Sequence, residues 1–320
     1  DKQKPWYLWL CYGAVHGPFT PADRHQGDYK NAKPTMPKDV YPPRPGKPKY
    51  VQKMEHWEPK NGVPVERKVR ELGPVGMRDI PGRPLRDWIQ QYHEGVRAID
   101  EGVGRVLQAL KDSGQDEDTL IVFTSDQGFA WGQHGFKSTA GPYHASVAAP
   151  LIIRAPVAKA KATAGRVVSE PVSGVDLPPT FFAQAGLKLP WSMHGEDLSP
   201  LLENPKAKRQ SPAMLVHTGK LYGSATEKIP TADDPALYHG PGIPWYVMLA
   251  EGRYKYVRNL IEGELEELYD LNKDPEELNN LALKPRHAKR LAGLRAKATE
   301  ELRRTKAPFV ETMPKPSTLK

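Results

Sequence analysis

The chain has 320 residues, with 46 lysines and arginines against 38 aspartates and glutamates, a formal charge of +8, and a mean hydropathy of −0.62. No apolar run approaches the roughly 20 residues of a membrane-spanning helix, and the single cysteine, Cys11, excludes an internal disulfide and a cysteine-built metal cluster. The basic residues are scattered rather than set in a stripe with interleaved aromatics, which argues against a nucleic-acid partner and suits an anionic substrate.

The chain opens Asp1-Lys2-Gln3-Lys4 without Met or a leader's apolar segment. Either a leader has been removed or this is a piece of a longer sequence, so export is left open. Residues 5–15 are apolar and aromatic-rich and predict a buried strand, ended by His16-Gly17-Pro18. Residues 20–85 are rich in Pro, Lys and Gly without a clear period and predict a long irregular surface excursion. Trp88, Tyr92, Val96, Ile99, Val103, Val106, Leu107 and Leu110 recur at spacings of three and four. They predict a helix over 85–112 with Gly114 as its stop.

Thr119 to Thr124 is β-branched and apolar and predicts a central strand; Pro150 to Arg154 predicts another. The Gly-rich loop 125–148 lies between them. Residues 169–187 predict a second amphipathic helix, and the polar, basic stretch 203–212 a boundary. Beyond it, Trp245–Val257 turns at Gly252 and Glu266–Leu271 follows as strand, while 284–305 is a charged helix. The order predicts an α/β fold: a mostly parallel sheet flanked by helices over 1–205, then a small antiparallel sheet with a terminal helix over 206–320.

Loops beyond strand C-termini hold ligands in such sheets. Asp126 and Gln127 follow a strand and offer two hard oxygen donors, which suits Ca²⁺ or Mg²⁺. Taken alone, a turn in which Asp126 caps a helix is the more ordinary reading. Within eleven residues come His134 and Lys137, a donor and a cation suited to an anionic ester, although each alone is more often a plain loop residue. His16 at a strand's end can serve as an acid or a donor. Cys11, inside an apolar run, reads as an inert thiol.

Together these segments resemble the sulfatase family within the alkaline phosphatase superfamily. Trp6 through His16-Gly-Pro resembles the family strand ending in His-x-Pro. Ile99 to Leu110 resembles "D-x-x-V-G-R-V-L-x-A-L", Thr119 to Gly128 resembles "T-I-V-I-F-T-S-D-N-G", and Trp131-Gly-Gln-His-Gly135 resembles "L-G-E-H-G". Tyr143 to Arg154 is similar to "Y-E-E-S-x-R-V-P-L-I-I-R", with His144, Ala145 and Ala148 replacing Glu, Glu and Arg. Val172 to Gly186 resembles "V-S-x-V-D-L-x-P-T-x-x-x-x-A-G". Gly252 to Tyr256 and Glu267 to Leu281 resemble the family's C-terminal signature.

The resemblance implies the C-terminal half of a sulfuric ester hydrolase. It implies Asp126 and Gln127 as Ca²⁺ ligands, Lys137 as the sulfate-binding lysine, His134 near the substrate, and His16 as the histidine aiding breakdown of the covalent intermediate. The family's formylglycine nucleophile arises from C/S-x-P-S-R, which this sequence lacks. It is expected in a missing N-terminal half, the implied partner, and the chain alone is expected to be inactive. The implied substrate is a sulfate ester, such as a sulfated glycan, and the implied location periplasmic or secreted. A phosphodiesterase or phosphonate hydrolase of the same superfamily, or a noncatalytic sulfated-glycan-binding protein, are the alternatives.

Overall fold

The structure is a computed structural model and describes residues 4–67, 80–156 and 165–317. The chain divides into two compact units, one of residues 1–36 and 56–116, the other of 37–55 and 117–320. Residue 206 lies inside the second unit.

In chain order, the second unit contributes α1 (Lys49–Gln52). The first contributes β1 (Trp57–Lys60), β2 (Val63–Glu66) and α2 (Leu85–Ser113). β1 and β2 form an antiparallel hairpin, so the 20–85 stretch holds regular structure; its residues 68–79 lie outside the described residues. The α2 prediction holds. Leu85, Trp88 and Ile89 are buried, and Gly114 ends the helix in the left-handed conformation at φ 68° that glycine adopts without strain. Phe19 meets Trp88 edge to face at 5.9 Å. The fully buried Glu66 carboxylate accepts from the Trp88 indole N–H at 2.9 Å and the Ile80 N–H at 3.2 Å.

Residues 5–15 differ from expectation. They belong to no strand among the described residues, and Trp6 to Leu10 are exposed, Trp9 by 78%. An apolar run becomes a buried strand only where a neighbour takes up its backbone groups and covers its side chains. Further along, Tyr12 and Val15 reach α2 at Gly102 and Gly95, where an added Cβ would stand 2.5 Å from the tyrosine hydroxyl and 2.9 Å from the valine. Two glycines seven residues apart therefore let the segment before His16 approach the helix.

The second unit continues with β3 (Ile121–Thr124), β4 (Ala130–Trp131), β5 (Lys137–Ser138), α3 (His144–Val147) and β6 (Leu151–Arg154). Then come α4 (Leu177–Ala185), α5 (Ser199–Glu203), β7 (Ala213–His217), β8 (Tyr238–His239), β9 (Ile243–Pro244), β10 (Tyr246–Glu251), β11 (Tyr254–Asn259), β12 (Glu266–Asp270) and α6 (Ala288–Arg304). The fold class is α/β with the expected C-terminal antiparallel sheet and terminal helix. The pairing of the two central strands is a correction. β3 and β6 run antiparallel, Phe123 opposite Ile152, and every ladder among the described residues is antiparallel. Apolar β-branched runs mark strands but carry no direction.

The C-terminal sheet has the order β12-β11-β10-β7. Its strands alternate with period two. Val247, Leu249, Tyr256 and Leu268 pack with Leu291, Leu294, Ala298 and Leu302 of α6. Tyr246, Met248, Val257 and Tyr269 cluster instead with Val51, Ala130, Phe136 and Tyr143. One sheet thus supports a helix on one side and the 130–143 loop region on the other. No described helix is long and apolar enough to cross a membrane.

Candidate active site

β3 delivers the chain to Ser125-Asp126-Gln127, all exposed. The Ser125 hydroxyl donates to Asp126 Oδ1 at 3.2 Å and to the Gln127 carbonyl at 3.0 Å. Gly128 then donates its N–H to the Ser146 carbonyl at 3.0 Å. A Cβ there would sit 2.5 Å from the Ala145 carbonyl oxygen and 2.8 Å from that of Ala148. Only glycine admits this approach, and it pins the Asp126-Gln127 pair beside α3.

Next, β4 and β5 form a small hairpin with Trp131 opposite Lys137. Gly132 donates to the Phe136 carbonyl at 2.8 Å, and the turn carries His134 at φ 54° and Gly135 at φ 77°. This geometry sets Lys137 on the return strand, with only 6% of its surface exposed.

His134 is buried too, at 2% exposure. Its Nδ1 lies 2.6 Å from Asp39 Oδ2, its backbone N–H donates to Asp39 Oδ1 at 3.0 Å, and its ring centre is 3.9 Å from that of Tyr143. Burial and the nearby Lys47 charge push the imidazole below its usual value, against the pull of Asp39. Asp39 is itself held below the usual carboxylate range: burial would raise it, and the His134 hydrogen bond and charge outweigh that. Both directions describe a neutral imidazole whose Nδ1 faces an ionised carboxylate. Because the folded imidazole resists protonation, its contribution to stability is complete above about pH 6.5 and falls as the pH drops from there toward the depressed folded value. Urea unfolding at pH 7.5 and 5.5 should show lower stability in acid, with the loss reduced in His134→Gln.

Asp39 comes from the Pro-rich stretch the sequence assigned to an excursion. Its neighbour Arg44, 2% exposed, donates to the carbonyls of Asp39, Val40, Val51 and Met54. The guanidinium lies where a side chain at Gly135 would project. Residues 37–55 are therefore folded against the hairpin, and no local period in their sequence signals it.

Residues 140–144 are held by the C-terminal sheet. Tyr246 donates its hydroxyl to the Ala140 carbonyl at 3.0 Å, Lys255 donates Nζ to the Pro142 carbonyl at 2.7 Å, and the Tyr143 hydroxyl donates to Glu267 at 2.8 Å. The His144 N–H donates to Glu277 at 2.5 Å, and Glu277 pairs with Lys255 in a buried ion pair. Lys47 lies 4.1 Å from the Tyr143 ring centre and 3.8 Å from Glu267, and burial lowers its ammonium to about 8. Sequence reading missed Asp39, Arg44, Lys47, Glu267 and Glu277.

The second unit thus carries Asp126, Gln127, His134 and Lys137 within one strand-loop-hairpin segment. His16 belongs to the first unit, where it is exposed, its Nδ1 3.0 Å from the Gly17 carbonyl. Asp126 and Gln127 fit a hard cation in donor chemistry: a carboxylate and an amide oxygen, adjacent and solvent-facing. The described residues contain no cluster of three or more His, Cys, Asp or Glu side chains suited to a metal, so the pair is a partial ligand set for an ion that takes six to eight oxygens.

The sulfatase family model matches residues 1–187, which include this strand-loop-hairpin segment. The chain belongs to the sulfatase family. An N-acetylglucosamine-6-O-sulfatase of Bacteroides thetaiotaomicron is 27% identical over 91% of this chain and 56% of its own length. A solved structure of an enzyme in complex with its substrate D-glucosamine-2-N,6-O-disulfate shares the fold, with a TM-score of 0.66 at 24% identity over 92% of this chain and 64% of that one. The phosphonate monoester hydrolase of Agrobacterium radiobacter superimposes with a TM-score of 0.56 at 27% identity, over 71% of this chain and 45% of that one. The chain spans little more than half the length of the curated relative.

Proposed function

We propose that this chain is the C-terminal part of a sulfuric ester hydrolase acting on a sulfated saccharide. One observation carries the reading: a family member lacking C/S-x-P-S-R nonetheless presents Asp126 and Gln127 beside a hairpin that buries Lys137. Asp126 and Gln127 would hold Ca²⁺, or Mg²⁺, as part of its shell. Such a cation, when bound, withdraws charge from the sulfate oxygens. Lys137 neutralises the same oxygens from a site where water is scarce and Coulomb attraction strong. His134, buried against Asp39 and Tyr143, would support the hairpin near the substrate. His16, in the other unit, would serve as an acid or hydrogen-bond donor.

Without C/S-x-P-S-R, this chain has no residue that fits a formylglycine. The nucleophile belongs to an N-terminal half of the same protein, and the chain alone is inactive. The named substrates of the glucosamine-sulfatase relatives and the +8 charge support a sulfated glycan. Export to the periplasm or outside the cell suits such a substrate. The test is turnover of a generic aryl sulfate and of glucosamine-6-sulfate, by this chain and by the protein containing its N-terminal half, each with and without Ca²⁺. Only the longer protein should turn over; metal-dependent activity of the chain alone sinks the incomplete-site reading. The phosphonate hydrolase likeness favours one second reading, and faster hydrolysis of a phosphonate monoester by the longer protein would select it.

A further inference from the structure

On the edge strand of the C-terminal sheet, His217 ends β7, and His239 sits on the β8–β9 hairpin. Their rings meet at 75° with centres 5.5 Å apart. His217 Nε2 and His239 Nδ1 are both withdrawn from solvent, and neither has a hydrogen-bond partner among the described residues. Tyr246, opposite His217 in the ladder, stacks on its ring at 5.0 Å and fixes its plane. Burial first, then the neighbouring His239, lowers the His217 imidazole to about 4; burial, then Lys220, lowers His239. Both rings are therefore neutral near pH 7 and keep a lone pair for a ligand. Lys220, the charge that faces His239, is on an exposed side chain that can extend into water.

Two imidazoles on one tetrahedral ion, with metal–nitrogen distances of roughly 2.0–2.1 Å, bring their ring centres to roughly 5 Å. The observed 5.5 Å is compatible with that arrangement, as it is with an edge-to-face ring contact. The two nitrogens are occluded while each histidine as a whole is only half-buried, so an ion or a water between the rings can keep contact with solvent, whereas a sugar or a peptide does not reach them.

We infer that His217 and His239 form a borderline-metal site, taking Zn²⁺, Cu²⁺ or Ni²⁺ with solvent completing the shell, separate in chemistry from the hard-cation pair at Asp126 and Gln127. Imidazole donors select these ions over Ca²⁺ and Mg²⁺. The ion would tie the edge strand β7 to the β8–β9 hairpin, so binding should stabilise the fold.

The experiment uses the untagged chain freed of metal. Zn²⁺ titration followed by calorimetry should give one site per chain, unaffected by excess Ca²⁺, and Zn²⁺ should raise Tm. His217→Gln and His239→Gln should each weaken Zn²⁺ binding by about tenfold or more. In the wild-type chain, ¹⁵N-histidine spectra should show two rings shifting together on the first equivalent of Zn²⁺ and assigned, through the two variants, to His217 and His239. Shifts only at other histidines, or Zn²⁺ affinity and Tm unchanged between wild type and variants, would overturn the proposal, leaving a water between the rings. Since Zn²⁺ binding is read without turnover, its failure leaves the sulfatase reading standing.

Discussion

Lys137→Ala in the full-length protein is expected to lower kcat/KM for a sulfate ester by about 10²–10³-fold, the usual loss when one preorganised charge-stabilising group is removed. The physical case rests on position. The hairpin pairs Lys137 with Trp131 and leaves 6% of its surface exposed, so an anion bound as proposed would meet its ammonium where water screens poorly. Lys137→Arg keeps the charge but changes its shape and reach, and should recover only part of the rate. Initial-rate kinetics on an aryl sulfate read the effect. Since the proposed contact strengthens as charge develops, kcat should fall along with kcat/KM. A variant within threefold of wild type would remove Lys137 from the sulfate site.

The second large effect is on stability. Asp176 is fully buried and accepts the Ser173 N–H at 2.7 Å, the Glu196 N–H at 2.8 Å, and a two-pronged donation from Arg209 at 2.6 and 2.9 Å. Removing one partner of such a pair leaves the other charge buried and unpaired, which costs about 3–5 kcal/mol. Asp176→Ala should lose stability on that scale in urea unfolding. Replacing both partners, Asp176→Leu with Arg209→Met, should cost less than the sum of the single changes, because no lone charge remains. Strict additivity would show that the two side chains do not act as a unit.

Much of the fold was legible because its signals are local. The three-four spacing from Trp88 to Leu110 with a glycine stop gave α2 within a residue or two, and Gly252 between Met248-Leu249 and Tyr254-Lys255-Tyr256 gave the β10–β11 turn. Where the sequence misled, the deciding partner was remote. Trp6 to Leu10 read as buried from their own hydropathy, yet burial needs a neighbour that no local pattern supplies.

The candidate site divides in the same way. Asp126 to Lys137 stood out by composition within eleven residues. Their supports did not: Asp39 sits 95 residues from His134 and Glu267 sits 124 from Tyr143. A lone carboxylate in a proline-rich or charged segment looks like any solvated residue until the chain folds.

The two-sided sheet also has a use for anyone redesigning this chain. Odd and even positions of β10 answer to different neighbours: Val247 and Leu249 to the terminal helix, Tyr246 and Met248 to the loop region bearing Lys137. Stabilising changes and changes to the site's support can therefore be searched in one six-residue segment as two separate libraries. An inserted residue would merge them, exchanging the two sets at a stroke.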